Sequence, residues 1–549
     1  MYSINICKND YSEVQLISIV TGETIDFSNP TEFKGFFDGD KVTFDDNGKL
    51  ILQKRHLSII PGVIDLMSKY ILKPNKRGIP GYLFNPINQK FPKFIVYTNL
   101  KKKCKCNQLI TIKFIEWNDC FPRGQLIRVL GDYNSINGME LALLYHYDIY
   151  PNKIKFKNVS LKLPLDGRIK INKDIFSIDP IGCKDIDDAF SIEICNDILK
   201  LDIHIADVYH FLKTNNLLEQ VKNTTSIYLT ERILHMLDSQ VSCNYSSLLE
   251  NTTKCMLTLS IEFSYKKSGE ITYKLYPSFG KITKNYSYDN YPKFIDKYFS
   301  LISNLYYCVT NNKIKIEDSH KFIEALMIIY NRKFTDYLLS NNYSVIYRSQ
   351  AVNSSRKLPA KSNNELDKFL NILYSNSAKY TIEQSFHQSL NMHNYTHSTS
   401  PIRRIVDLIN QELFYNGKSI LLEKFKLEDV NKNQKIIKKF YRKTNKLKLA
   451  KILYDSGCQI IDCYVYSYDE NKNKIDVYFP NYNLNIRYRL ISKKIEGFYN
   501  IKYTKDCIVI QKLDSVTTEI TIPMNKTIKV KLLGNPDIFD IENSLKIEF

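Results

Sequence analysis

No stretch of the 549-residue sequence is apolar for long enough to cross a membrane as a helix. The N-terminus, MYSINICKND, has no cationic segment followed by an apolar one, so no secretory signal is read there. These absences set the expectation of an intracellular protein, cytoplasmic rather than nuclear, with no membrane partner. CxxC pairs are missing as well. The 12 cysteines are scattered, and the closest spacings, Cys104-x-Cys106 and Cys458 to Cys463, have no second half to complete a zinc site. Reduced thiols in a reducing compartment are the expectation. There is no internal repeat of solenoid period and no long low-complexity tract.

What is abundant is positive charge. Lysine and arginine number 77 against 58 acids, a formal net charge of +19. Such an excess points to a polyanionic partner. A second explanation stands beside it: Lys, Asn, Ile and Tyr are all encoded by A/T-rich codons, and a biased genome adds lysines without function.

The chain changes texture twice. Up to residue 165, short β-rich runs alternate with polar turns in the manner of small barrels, and Asp38-Gly39 gives a turn signal before a strand. From 166 to 450, strands mix with long helical patterns. SHKFIEALMIIYNRKFTDYLLS follows Asp318 and opens with Ser319, and these two residues can cap it. SPIRRIVDLINQELFYNG runs from a Ser-Pro start to an Asn-Gly stop, and a basic helical stretch ends at Gly457. From 451 to 549 the alternation returns and predicts a five-stranded barrel of the OB type. The expected fold class is therefore multidomain: a mixed α/β body flanked by β-barrels.

Negative charge gathers at the start of the body. SIDPIGCKDIDDAFSIE places Asp179, Asp185, Asp187 and Asp188 within ten residues. Pro180 keeps Asp179 extended, and Gly182 permits a sharp turn. Carboxylates held close together take up protons or recruit a cation, and hard oxygen ligands suit Mg²⁺ or Mn²⁺. An EF-hand is excluded, because counting from Asp185 the required glycine and glutamate are missing. Aspartate-rich sites with few histidines are typical of two-metal phosphoryl transfer. The plain alternative, a surface acidic loop, fits poorly with the apolar residues interleaved through the segment.

YTHSTSPIRR, Tyr395 to Arg404, is a second constellation. His397, Ser400 and Arg404 accompany Arg403 at a predicted helix N-terminus, where hydroxyls, free N–H groups and the helix dipole can hold a phosphate. Arg403 can donate in fork geometry to a phosphodiester. The alternative is an ordinary capped helix in which Arg403 pairs with Asp407, four residues on.

Together the two segments resemble the signature motifs of the ribonuclease II family, the RNB exoribonucleases, in the version of the eukaryotic exosome-associated branch. LDIHIADVYHFL, TSIYLTERILHML, NYSYDNY and EALMIIYN resemble the intervening blocks in order. The flanks resemble two N-terminal cold-shock barrels, expected over 1–95 and 96–165, an RNB domain over 166–450, and a C-terminal OB barrel over 451–549. The resemblance implies a Mg²⁺-dependent (or Mn²⁺-dependent), processive 3′→5′ hydrolase of single-stranded RNA that releases 5′-nucleoside monophosphates. Asp179, Asp185, Asp187 and Asp188 would form the metal site. Asp187 would be tied to chemistry and Arg403 would position the scissile phosphate. Tyr228 would stack on a terminal base, with His397, Ser400 and Arg404 also binding RNA. His204 reads as a structural histidine rather than a general base.

Some positions depart from the family pattern. Ser398 stands where the family has Phe, Ile405 replaces an aromatic, the HMLDSQVSCNYSSL segment lacks its prolines, and Ala325 replaces the second of a glutamate pair. A second hypothesis is therefore kept: an inactive RNB scaffold that binds RNA. Action on DNA is a third. The chain is expected to be a monomer. It is not expected to dock on an exosome, since it begins at the barrels without the extra N-terminal endonuclease domain.

Overall fold

The computed structural model describes the chain except for residues 8–10, 28–32, 69–71, 151–160, 267–269, 352–364, 491–498, 505 and 513–518. The chain divides into two compact units. One comprises Met1–Tyr150, Ala360–Phe369 and Ile436–Phe549; the other comprises Pro151–Pro359 and Leu370–Lys435. No helix among the described residues is long and apolar enough to cross a membrane.

One strand order recurs three times in the first unit. Tyr2–Ile6, Val14–Ser18, Thr24–Phe27, Lys41–Phe44 and Leu50–Lys54 line up as third, second, first, fourth, fifth. Ile4, Ile6, Leu16, Phe33 and Val42 fill their core. Ile60–Ile64, Gly81–Pro86, Phe94–Tyr97, Gln108–Glu116 and Arg123–Asp132 repeat that order. Here the fifth strand also pairs with the third, in parallel, so the sheet closes into a barrel. Gly62 lets its strand lie close against Gly81–Pro86: a Cβ there would meet the Asn85 carbonyl oxygen at 2.2 Å. The division expected at residue 95 thus falls inside this barrel, and the sheets part between Lys54 and Ile60. Alternation marks each strand but does not say which strand it pairs with.

The C-terminal segment follows the same order with Gln459–Asp469, Lys474–Phe479, Leu484–Arg489, Thr527–Gly534 and Leu545–Glu548. A three-stranded meander, Tyr499–Tyr503, Cys507–Lys512 and Glu519–Pro523, is inserted between its third and fourth strands. Five consecutive strands were expected here, and eight are present among the described residues. The OB-type five are not the first five, because the meander forms its own sheet while adding Ile508 and Ile522 to the shared core.

The second unit is built on a seven-stranded mixed sheet. Its order is Ile169–Ile171, Ile271–Lys281, Thr253–Ser264, Ile198–Ala206, Asp188–Cys195, Phe176–Asp179, Lys284–Ser287. The two outermost pairings are parallel and the inner ones antiparallel. The central strands bury one face completely: Leu199, Leu201, Ile203, Ile205, Leu257, Leu259 and Ile261 are inaccessible. They form one core with helices Ser319–Ser340 and Ile405–Asn416. The first of these starts as expected, with Asp318 accepting from the Lys321 N–H at 2.7 Å. The second ends at Gly417 in the left-handed region, φ +68°. This architecture is the multidomain α/β body with OB-type barrels that the sequence leads one to expect.

Candidate active site

The acidic segment is a strand end, a loop and a strand start. Asp179 closes Phe176–Asp179, and Asp188 opens Asp188–Cys195 opposite Ile205. Between them the chain turns at Gly182, φ +78°, with the Cys183 N–H bonded to the Pro180 carbonyl. Two anchors then fix the loop: the Ile186 N–H donates to Ser247 Oγ at 2.9 Å, and the Leu248 N–H donates to the Ile186 carbonyl at 3.0 Å.

Each aspartate has a different environment. Asp185 Oδ2 accepts from the Tyr228 hydroxyl at 2.6 Å. Asp187 is buried and accepts from the Ile402 N–H and from Arg403 Nε, both at 2.9 Å. Asp179 Oδ2 is buried and has no hydrogen-bond partner. Burial pushes the Asp187 carboxyl up to about 7 against the pull of Arg403, and Asp179 up to about 6. Asp188 is raised well above the usual carboxylate range, first by burial and then by the charges of Asp179 and Asp187.

The second constellation is not a helix start at the Ser-Pro. Pro401 to Arg403 form a turn in which the Ser400 carbonyl accepts from the N–H groups of Arg403 and Arg404, and the helix begins at Ile405. Ser400 is held in turn: its N–H donates to Asp407 Oδ1 at 2.8 Å. Asp407 is paired with Arg404, at 2.7 Å, and not with Arg403 as the four-residue spacing suggested. Arg403, displaced from the helix by the turn, points at the aspartates. Its Nη2 donates to Ser400 Oγ at 3.0 Å while its side chain stays 41% exposed.

The structure therefore brings together Asp179, Asp187, Asp188, Arg403 and Ser400, with Asp185 joined through Tyr228. Tyr228 is 37% exposed. His397 stands behind Arg404, its Nδ1 taking bonds from the Tyr380 hydroxyl at 2.8 Å and Arg404 Nη1 at 3.3 Å. His204 lies in the sheet core between Ser191 Oγ, at 3.1 Å, and Thr258 Oγ1, at 2.8 Å. Burial lowers it to about 4, which keeps it neutral. Ser398, where the family pattern has Phe, is buried with its N–H and hydroxyl on Asn331 Oδ1.

Sequence reasoning missed Tyr288. Its N–H donates to the Asp179 carbonyl at 3.2 Å, and its ring stacks on His320 with centroids 3.7 Å apart. Burial, with Asp188 and Asp179 beside it, pushes its hydroxyl up to about 12. The only signal was its place in the tyrosine-rich NYSYDNY block. A cleft of about 740 Å³ opens beside Asp179, lined by Cys183, Lys284, Tyr286 and Tyr291 among others.

The donor chemistry fits a hard divalent cation: carboxylate oxygens, one of them buried without a partner, that raise one another's pKa. The side chains are not drawn together around one point, however. Among the described residues no three His, Cys, Asp or Glu groups are gathered closely enough to hold a metal ion.

Comparison with known proteins gives the following. The RNB domain model matches residues 170–306 and 301–418, and the Dis3-like cold-shock domain 2 model matches 81–148. Ribonuclease R of Ureaplasma parvum is 26% identical over 475 residues, 66% of each chain. The exosome complex exonuclease RRP44 of Mus musculus is 28% identical over 36% of this chain and 22% of its own length. The matches thus span just under two thirds of the first relative and about a fifth of the second. Among solved structures, Mycoplasma genitalium RNase R in complex with ribose-methylated single-stranded RNA superposes with a TM-score of 0.72 at 17% identity, over 100% of both chains. Yeast Ssd1, a pseudonuclease, gives 0.64 at 14% identity over 93% of this chain and 81% of its own. The aspartate loop and the arginine turn that meet in the second unit both lie inside the span matched by the RNB model, and the chain belongs to the RNB-domain family.

Proposed function

We propose that the protein is a 3′→5′ exoribonuclease that hydrolyses single-stranded RNA processively, releases 5′-nucleoside monophosphates and depends on Mg²⁺ or Mn²⁺. The observation that carries this reading is the contact between Asp187 and Arg403, which sets a cation-seeking carboxylate cluster against a guanidinium able to grip a phosphodiester. Asp179, Asp185, Asp187 and Asp188 would hold the metal, which would supply an activated water and charge neutralisation at the phosphate.

The protein's own groups do the rest. Arg403 is oriented by two bonds, Nε to Asp187 and Nη2 to Ser400. Its Nη1 is left to donate to a phosphate oxygen, and a fixed planar fork loses little entropy on doing so. The half-exposed Tyr228 ring offers a flat apolar face to a base, and any base can use it, as a sequence-tolerant nuclease requires. Its hydroxyl, on Asp185, locks the ring in place. Burial and the charges of Asp179 and Asp187 hold the Asp188 carboxyl well above the usual carboxylate range, which favours its protonated form over an unpaired buried charge.

A second reading has an observation behind it too. Asp185 and Asp187 already have protein partners, which is how an RNA-binding scaffold without turnover would hold them. A time course on 5′-labelled single-stranded RNA with Mg²⁺, wild type against Asp187→Asn, separates the two. A shortening ladder or a jump to a short end product, absent in the variant, supports the nuclease. RNA that stays intact while binding both proteins supports the scaffold.

A further inference from the structure

Among the described residues, no acid pairs with Arg348. It lies on the short strand Tyr347–Ser349, opposite Tyr380 of Lys379–Thr381, and its N–H donates to the Tyr395 carbonyl at 2.7 Å. Its guanidinium sits over the Tyr380 ring, 4.5 Å from the centroid, and Nη1 donates to Gln434 Oε1 at 3.0 Å. Both partners are neutral. The acids of the neighbourhood are already engaged, Asp407 by Arg404 and Asp187 by Arg403. Burial and the charge of Arg404 both pull Arg348 below its ordinary pKa, the reverse of Arg403 and Arg404, which their carboxylates hold up.

The histidine between them adds no balancing group. Nδ1 of His397 faces both the Tyr380 hydroxyl and Arg404 Nη1. A guanidinium only donates, so Nδ1 is the bare nitrogen and the proton sits on Nε2. The ring is neutral. Arg403 and Arg404 each have a carboxylate partner and Arg348 has none among the described residues, and a half-buried cation without a partner costs stability until an anion meets it.

We infer that Arg348 is a phosphate-binding residue, which holds a backbone phosphodiester of the RNA other than the one Arg403 grips. Stacking on Tyr380 and the bond from Nη1 to Gln434 fix the plane of the fork and leave its other N–H groups for the ligand. Arg348 is thus a positioning residue for the reaction, and the inference rests on the RNA-degrading reading above.

The test measures binding of a short 5′-labelled single-stranded RNA to the full chain in EDTA, across a range of NaCl, for wild type, Arg348→Gln and Arg348→Lys. Melting temperatures and steady-state kinetics are measured alongside. Loss of one phosphate contact should reduce the log–log salt slope by about 0.7 in Arg348→Gln and raise KM with kcat unchanged. Arg348→Lys, which keeps the charge, should restore most of the slope. An unchanged slope and affinity in Arg348→Gln would overturn the inference. So would equal losses in both variants together with a lowered melting temperature, which would make Arg348 a structural support. A wild-type protein that binds no RNA at all would instead refute the function itself, whatever Arg348 does.

Discussion

Asp187 and Arg403, 216 residues apart in the sequence, meet through Oδ2 and Nε at 2.9 Å, and the N–H of Ile402 takes the other carboxylate oxygen at the same distance. One side chain thus ties the aspartate loop to the arginine turn. In Asp187→Asn, the amide keeps the shape and an acceptor for Ile402 but releases Arg403 and removes the negative charge. Cleavage should fall by about a hundredfold or more, while RNA affinity and melting temperature stay near wild type. A gel-based time course with a parallel binding titration checks this, and loss of binding or of stability would make Asp187 structural.

Metal should register in stability as well as in activity. Carboxylates that burial and mutual repulsion hold up in pKa gain more from a divalent cation than exposed ones do. Added Mg²⁺ should raise the melting temperature of EDTA-treated protein in a concentration-dependent way. The rise should vanish in Asp179→Asn and in Asp188→Asn. If both variants respond as wild type does, the cation binds elsewhere.

Tyr228 has two separable parts, a ring and a hydroxyl on Asp185. Tyr228→Phe keeps the ring and should leave RNA affinity near wild type while lowering kcat. Tyr228→Ala should weaken RNA binding by about 1–3 kcal/mol, the worth of one stacked base. Equal affinity for the Phe and Ala variants would remove the stacking role.

His204 makes the fold sensitive to acid. Its folded pKa, about 4, lies below the ordinary value of 6.5, because burial disfavours the charged ring. The neutral ring's contribution is complete above pH 6.5 and is lost as pH falls from there towards 4. The slope can reach about 1.4 kcal/mol per pH unit. His204→Asn should therefore be less stable than wild type at pH 8, and the gap should narrow by pH 5. A gap that does not change with pH would show that His204 does not titrate on unfolding.

How far the sequence can be read depends on the range of the interaction. The caps of Ser319–Ser340 and the stop at Gly417 were legible, because Asp318 and glycine act within one turn of where they stand. The start of Ile405–Asn416 was misread, because the Ser-Pro signal lost to a turn stabilised by Asp407 on the Ser400 N–H. The pairing of Asp407 was misread for the same reason: the turn removes Arg403 from the helix and leaves Arg404 in reach.

By itself the sequence determined most of the strands and helices, the gathering of four aspartates in one loop and of two arginines after Ser-Pro. These follow from side-chain alternation, capping and backbone restriction over a few residues. The tertiary structure alone decided which strands share a barrel, so that the first two sheets part near residue 57 and a meander splits the C-terminal five. It also decided that Arg403 faces Asp187, that Tyr228 caps Asp185, and that Arg348 is left with neutral partners. Such pairings depend on burial and hydrogen bonds between segments tens to hundreds of residues apart, and local pattern carries no record of which distant partner satisfies a buried group.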